Sequence, residues 1–177
     1  MSRFKPAAQK QTIELTSTEI VLSETLKAEI EQWAIQYPPE QRQSALLPAL
    51  LAAQRQHQGW LSRPLIDAIA DYLKTARITA YEVVTFYSLF ELKPVGRHKI
   101  SVCTNISCML SGCDRIVQHL KRRLQINFGG TTADGRLTLK EVECLGACTE
   151  APVMMLDEHY QANLTLEKLD KLLDDLS

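Results

Sequence analysis

The sequence has 177 residues, 45% hydrophobic, 23% charged and 6% aromatic, an ordinary globular composition that excludes disorder and a fibrous repeat. Twenty basic residues stand against 21 acidic ones; cut after Arg97, the halves hold 11 basic and 10 acidic residues, then 9 and 11. Neither half has the basic surplus of a nucleic-acid binder, and the longest apolar run, residues 45–53 with Pro48 inside it, falls far short of the roughly 20 residues a spanning helix needs.

Residues 1–19 begin with Arg3, Lys5 and Lys10 and no apolar core, so they read as a mobile, solvated tail and not as a secretory signal. Ser23 then suits a helix N-cap, with Leu26, Ile30, Trp33 and Tyr37 at helical spacing until Pro38-Pro39. A second helix is predicted over 42–58, closed by Gly59, with Pro48 as an interior kink. Ser62-Arg63-Pro64 opens a third, with Leu65, Ile66, Ile69 and Leu73 facing inward. Thr79 and Glu82 read as the capping box of a fourth, which carries Val83, Phe86, Tyr87 and Phe90. Residues 20–93 are therefore expected to form a small helical bundle.

The pattern changes at Lys93-Pro94-Val95-Gly96. A strand is predicted over 98–104, a helix over 114–126 and a second strand over 137–142 after the Asp134-Gly135 turn. A short strand at 152–157 and an amphipathic closing helix from Thr165 complete a βαββα unit over 94–177. The fold class expected is mixed α/β, a helical bundle followed by a compact α/β domain.

Five cysteines are the feature that stands out. With no export signal they belong in a reducing compartment, where structural disulfides are rare. Cys103 and Cys108 are separated by four residues, Cys144 and Cys148 by three, and 35 residues lie between the pairs. Each pair follows a predicted strand, so if those strands are neighbours, both loops leave one edge and four sulfurs converge. Four thiolates bind tetrahedral zinc or an iron–sulfur cluster. Gly146 and Ala147, between the second pair, allow backbone N–H groups close to the sulfurs, which favours iron–sulfur without excluding zinc. A redox dithiol would use Cys-x-x-Cys, which is absent. Cys113 follows Gly112 at a helix start, where the helix dipole lowers a thiol pKa, but it has no partner at ligand spacing and reads as a small apolar helix residue.

Other candidates carry less. His57, His98, His119 and His159 are scattered and read as surface or satisfied core histidines. The Phe86, Tyr87 and Phe90 cluster reads as core, and no glycine-rich phosphate loop is present, so the chain is not expected to bind NADH or flavin itself. Ala151-Pro152 precedes a strand beside the second cysteine loop, a place where a cis bond is an alternative, but most X–Pro bonds are trans.

Several runs appear in an order that belongs to a known family. They are Tyr37-Pro38, Ser44-Ala45-Leu46-Leu47-Pro48-Ala49-Leu50, Gly59-Trp60-Leu61-Ser62, Tyr81-Glu82-Val83-Val84-Thr85-Phe86-Tyr87 and Pro94-Val95-Gly96. Val102-Cys103, Thr131-Thr132-Ala133-Asp134-Gly135, Val142-Glu143-Cys144-Leu145-Gly146-Ala147-Cys148 and Ala151-Pro152 follow. Together they resemble the thioredoxin-like [2Fe–2S] subunits of NADH:quinone oxidoreductase, the E-type component of respiratory complex I.

The resemblance implies that Cys103, Cys108, Cys144 and Cys148 hold one [2Fe–2S] cluster and that the second half is a thioredoxin-like ferredoxin domain. It implies an electron-transfer subunit without catalysis of its own, in the hydrophilic arm of a bacterial inner-membrane complex. Its partners would be the subunit that binds FMN and NADH, with which the cluster exchanges electrons, and other complex I subunits. It is expected to be cytoplasmic and peripheral, with no membrane insertion and no nucleic acid. A potential of about −400 mV is expected if the cluster behaves like those of plant-type ferredoxins. The alternatives are the equivalent subunit of an NAD-linked hydrogenase or formate dehydrogenase, a zinc-stapled interaction module, and a thiol–disulfide oxidoreductase.

Overall fold

The computed structural model describes residues 20–176; the tail expected over 1–19 lies outside them. Helix α1 (Glu24–Ala34) starts at Ser23, whose hydroxyl accepts the Leu26 N–H at 3.2 Å. A 3₁₀ stretch (Pro39–Ala45) then leads into α2 (Leu46–Gln56). The second helix therefore begins four residues later than its apolar spacing implies, and Pro48 falls in its first turn. N–H groups there have no intrahelical partner, so the proline costs α2 no hydrogen bond and the expected interior kink is not needed.

Helices α3 (Arg63–Tyr72) and α4 (Arg77–Phe86) complete the helical part. The capping box at Thr79 is not formed, because α4 starts two residues earlier. Arg77, its first residue, is fixed to Asp71 at the end of α3 by a two-point ion pair, its Nη2–Oδ2 separation 2.6 Å. The core of these helices is Leu26, Ile30, Leu50, Ile66, Ile69 and their neighbours. Phe90 belongs to it, whereas Phe86 is 80% exposed and Tyr87 41%, which corrects the reading of that aromatic cluster as core.

The second part contains β1 (His98–Cys103), α5 (Ile106–Leu110), α6 (Cys113–Leu124), β2 (Leu137–Val142), β3 (Met154–Leu156), β4 (His159–Gln161) and α7 (Leu166–Asp175). The strand order is β2-β1-β3-β4. β1 and β2 run parallel, and the other neighbours are antiparallel. Two elements go beyond the expected βαββα: the single-turn α5, and β4, where Asp157-Glu158 turns the chain back.

Alternation along the strands divides the sheet into two faces. Ile100, Val102, Leu137 and Leu139 meet Ile116 and Leu120 of α6 and Leu169 and Leu173 of α7 in one core. Burying each such side chain contributes roughly 1.5–3 kcal/mol. Lys99 and Lys140 point the other way, toward Glu91 in the connection from the helices, at 3.0 and 2.5 Å. The Gln54 side chain of α2 accepts the Glu91 N–H at 2.7 Å and donates to the Leu89 carbonyl at 3.1 Å. Gln54 thus connects the bundle to the segment that crosses the back of the sheet.

Candidate metal centre

The β1–β2 ladder carries the candidate centre. His98 faces Leu137, and the pairing runs without a break to Cys103 opposite Val142. Parallel strands end at the same edge, and loops beyond strand carboxyl ends are the usual ligand sites of such sheets. Cys103 is the last residue of β1, and Cys144 stands two residues beyond the end of β2. The Thr104 N–H continues the pairing by donating to the Val142 carbonyl at 3.1 Å.

The first thiol pair is buried. Asn105 caps α5 by accepting the Ile106 N–H at 2.8 Å, and that turn brings Cys108 back against Cys103. Both pack with Cys113 and Val153, lined by Val142, Leu145, Ala147 and Ala151. Burial first, and then the neighbouring Cys103, pushes the Cys108 thiol up to about 11, although a backbone hydrogen bond from Val153 works in the opposite direction. The free thiol there therefore keeps its proton at neutral pH, and only a nearby positive charge would favour the thiolate.

The second pair, Cys144 and Cys148, is exposed. The loop between them turns at Gly146, with φ of +70°, and its N–H donates to the Cys144 sulfur at 3.3 Å. This is the close backbone approach that the small residues suggested. Cys148 begins a 3₁₀ turn (Cys148–Glu150) leading to a cis Ala151–Pro152 bond, the rarer of the two forms weighed from sequence.

Cys113 heads α6 and is buried against Cys103 and Cys108. Burial raises its pKa, with Asp114 and Cys103 adding to the effect, so the helix dipole does not prevail. His98 and His119 lie 2.8 and 2.7 Å from carboxylates of Asp157 and Asp170, pairings between distant elements that local spacing did not reveal. Sequence reasoning also missed the exposed apolar rim on α5: Ile106, Met109 and Leu110.

The donor set suits iron and sulfide. It comprises four thiols in two loops, soft ligands with an apolar lining. Among the described residues no three His, Cys, Asp or Glu side chains meet where a single metal ion could be held. The expected convergence of all four sulfurs is therefore not seen: Cys103 and Cys108 pack together, while Cys144 and Cys148 stay exposed in their own loop at the same sheet edge.

The fold is that of a small α/β domain with two cysteine pairs at the carboxyl ends of its parallel strands. The comparisons agree. A family model described as thioredoxin-like [2Fe–2S] ferredoxin matches residues 30–177. The E-type subunit of NADH-quinone oxidoreductase from Rickettsia felis (strain ATCC VR-1525 / URRWXCal2) is 48% identical over 80% of this chain and 84% of its own. The second E-type subunit of the same oxidoreductase from Rhizobium meliloti (strain 1021) is 45% identical over 85% and 88%. A mitochondrial NADH dehydrogenase [ubiquinone] flavoprotein 2 of Dictyostelium discoideum is 42% identical over 83% of this chain and 60% of its own. Among solved structures, an air-oxidised NAD+-reducing [NiFe]-hydrogenase shares the fold at a TM-score of 0.61 and 23% identity, over 72% of this chain and 22% of that one. The chain belongs to the thioredoxin-like [2Fe–2S] ferredoxin family.

Proposed function

We propose that the chain is the electron-transfer subunit of an NADH:quinone oxidoreductase, holding one [2Fe–2S] cluster on Cys103, Cys108, Cys144 and Cys148. The observation that carries this reading is the parallel β1–β2 ladder, which releases both cysteine pairs at one edge, in a chain 45–48% identical to E-type subunits of that oxidoreductase. When bound, the cluster supplies a one-electron carrier of low potential.

The chain's own residues do the rest. Cys103 and Cys108 ligate from the buried side of the edge, where Val142, Leu145 and Val153 keep water away. Cys144 and Cys148 ligate from the exposed side, which makes this side the one nearer the electron donor. The Gly146 N–H stabilises negative charge on the Cys144 sulfur. The donor is the FMN of an NADH-binding subunit, and residues 20–93 and 94–177 act as a bundle and a ferredoxin domain. No helix among the described residues is long and apolar enough to cross a membrane, which suits a place in the peripheral arm. The likeness to the hydrogenase concerns the fold alone, so the quinone-linked complex is the reading adopted.

Mixing the cluster-loaded chain with the purified flavin-containing NADH-binding subunit of the same complex tests this. NADH is expected to bleach the cluster's visible absorbance only when that subunit is present. Failure to bleach with an active flavin subunit present would contradict the reading.

A further inference from the structure

One peptide plane in the second cysteine loop is held from both sides. The hydroxyl of Tyr160, on β4, donates to the Leu145 carbonyl at 2.8 Å. The N–H of the same peptide unit, on Gly146, donates to the Cys144 sulfur at 3.3 Å. A peptide unit is rigid and planar, so fixing its oxygen fixes the direction of its N–H. The residue that provides the N–H has φ of +70°, a conformation glycine adopts freely and other residues rarely do. The Tyr160 hydroxyl is thus the hold on the Leu145 oxygen in this exposed loop.

Tyr160 is itself well placed to act as a fixed point. Its strand pairs with β3, Met155 facing Tyr160, and β3 pairs with β1, which ends in Cys103. The loop is thus tied back to the sheet that carries the first thiol pair. The hairpin's far side is secured too, since the Asn163 N–H donates to the Glu150 carbonyl at 2.8 Å.

We propose that Tyr160 is a positioning residue that sets the reduction potential of the centre through the Leu145–Gly146 peptide, by holding the N–H on the Cys144 sulfur. This rests on the reading of Cys144 as a cluster ligand. Reduction adds negative charge that spreads onto the sulfurs, and an N–H donor favours the more negative state. Polarising the carbonyl at the other end of the amide strengthens that donor. Removing the hydroxyl therefore lowers the potential, making the centre harder to reduce.

Tyr160→Phe deletes one oxygen from a side chain that is 54% exposed and leaves the packing in place. Redox titration of the cluster-loaded chain, followed by EPR, is expected to show the equilibrium constant for reduction falling severalfold in Tyr160→Phe. A tenfold fall corresponds to about 59 mV for a one-electron couple. Loss of the cluster to an iron chelator is expected to quicken severalfold, with the unfolding midpoint unchanged. An unchanged or raised potential overturns the proposal, whether or not cluster loss quickens, since faster loss alone would make Tyr160 a loop brace only. Cys144→Ser separates the two readings. If it keeps the wild-type spectrum and potential, the ligand assignment fails; if it does not while Tyr160→Phe equals wild type, only the positioning role fails.

Discussion

Cys103 and Val142 are the last facing pair of the parallel β1–β2 ladder. One strand therefore ends on a thiol, and its neighbour ends two residues before another. A one-residue slip in that register would turn Ile100 and Leu139 out of the core, and their complete burial opposes it. The hydrophobic pattern that pairs the strands thus also determines where the sulfurs emerge.

Serine at each of Cys103, Cys108, Cys144 and Cys148 is expected to remove most bound iron and acid-labile sulfide. Cys113→Ala is expected to keep both, because Cys113 acts as a small buried side chain; its loss costs about 1 kcal/mol of stability. Iron and sulfide assays on the five purified variants check this, and retention of full iron in any of the first four would exclude that residue as a ligand.

Gly96 lies where the connection meets β2. A Cβ there would stand 3.0 Å from the backbone C and O of Arg136 and the carbonyl of Gly135, none of them able to swing aside. Its N–H donates to the Thr138 hydroxyl at 2.6 Å. Gly96→Ala is expected to destabilise the chain by roughly 1–3 kcal/mol, measured by urea unfolding.

Gln54 is a buried amide that satisfies two backbone groups of the connection at once. Gln54→Ala leaves the Leu89 carbonyl and Glu91 N–H without that partner, at a cost of about 1–3 kcal/mol. The same change loosens Glu91 from its place between Lys99 and Lys140. Amide exchange at Glu91 and along β1 should quicken with the fall in stability.

Glu31 of α1 is paired with the Arg42 guanidinium and accepts the Tyr72 hydroxyl at 2.6 Å. The Arg42 hydrogen bond, followed by that from Tyr72, lowers its pKa below the ordinary 4.5. A carboxylate lowered in the folded state adds stability that is full above its unfolded value and disappears as pH falls through the folded one. Glu31→Gln is therefore expected to cost up to about 1 kcal/mol at pH 7, since the pair is partly exposed. The difference from wild type should close as the pH drops below about 4.5. Urea unfolding at several pH values, followed by far-UV circular dichroism, reads it.

What could be read from sequence was whatever periodicity and spacing encode locally. β2 was predicted at its observed bounds, β1 to within one residue, Ser23 as the cap it is, and the closing helix to within one residue of its start. The four candidate thiols stood out because two short gaps each followed a strand. The start of α4 was missed because the ion pair from Arg77 to Asp71 links two helices, and a local capping signal at Thr79 could not anticipate it. β4 was missed because its three residues become a strand only by pairing with β3. The hold of Tyr160 on Leu145 spans 15 residues, and no motif in the loop pointed to it.

Whether the four thiols hold one [2Fe–2S] cluster is decided by quantitative EPR of the dithionite-reduced chain, run alongside metal and sulfide analysis. A reddish-brown protein is expected, with about two iron and two sulfide per chain and a spin-half signal integrating to one spin per chain. A colourless protein with one stoichiometric zinc and no such signal would refute the assignment.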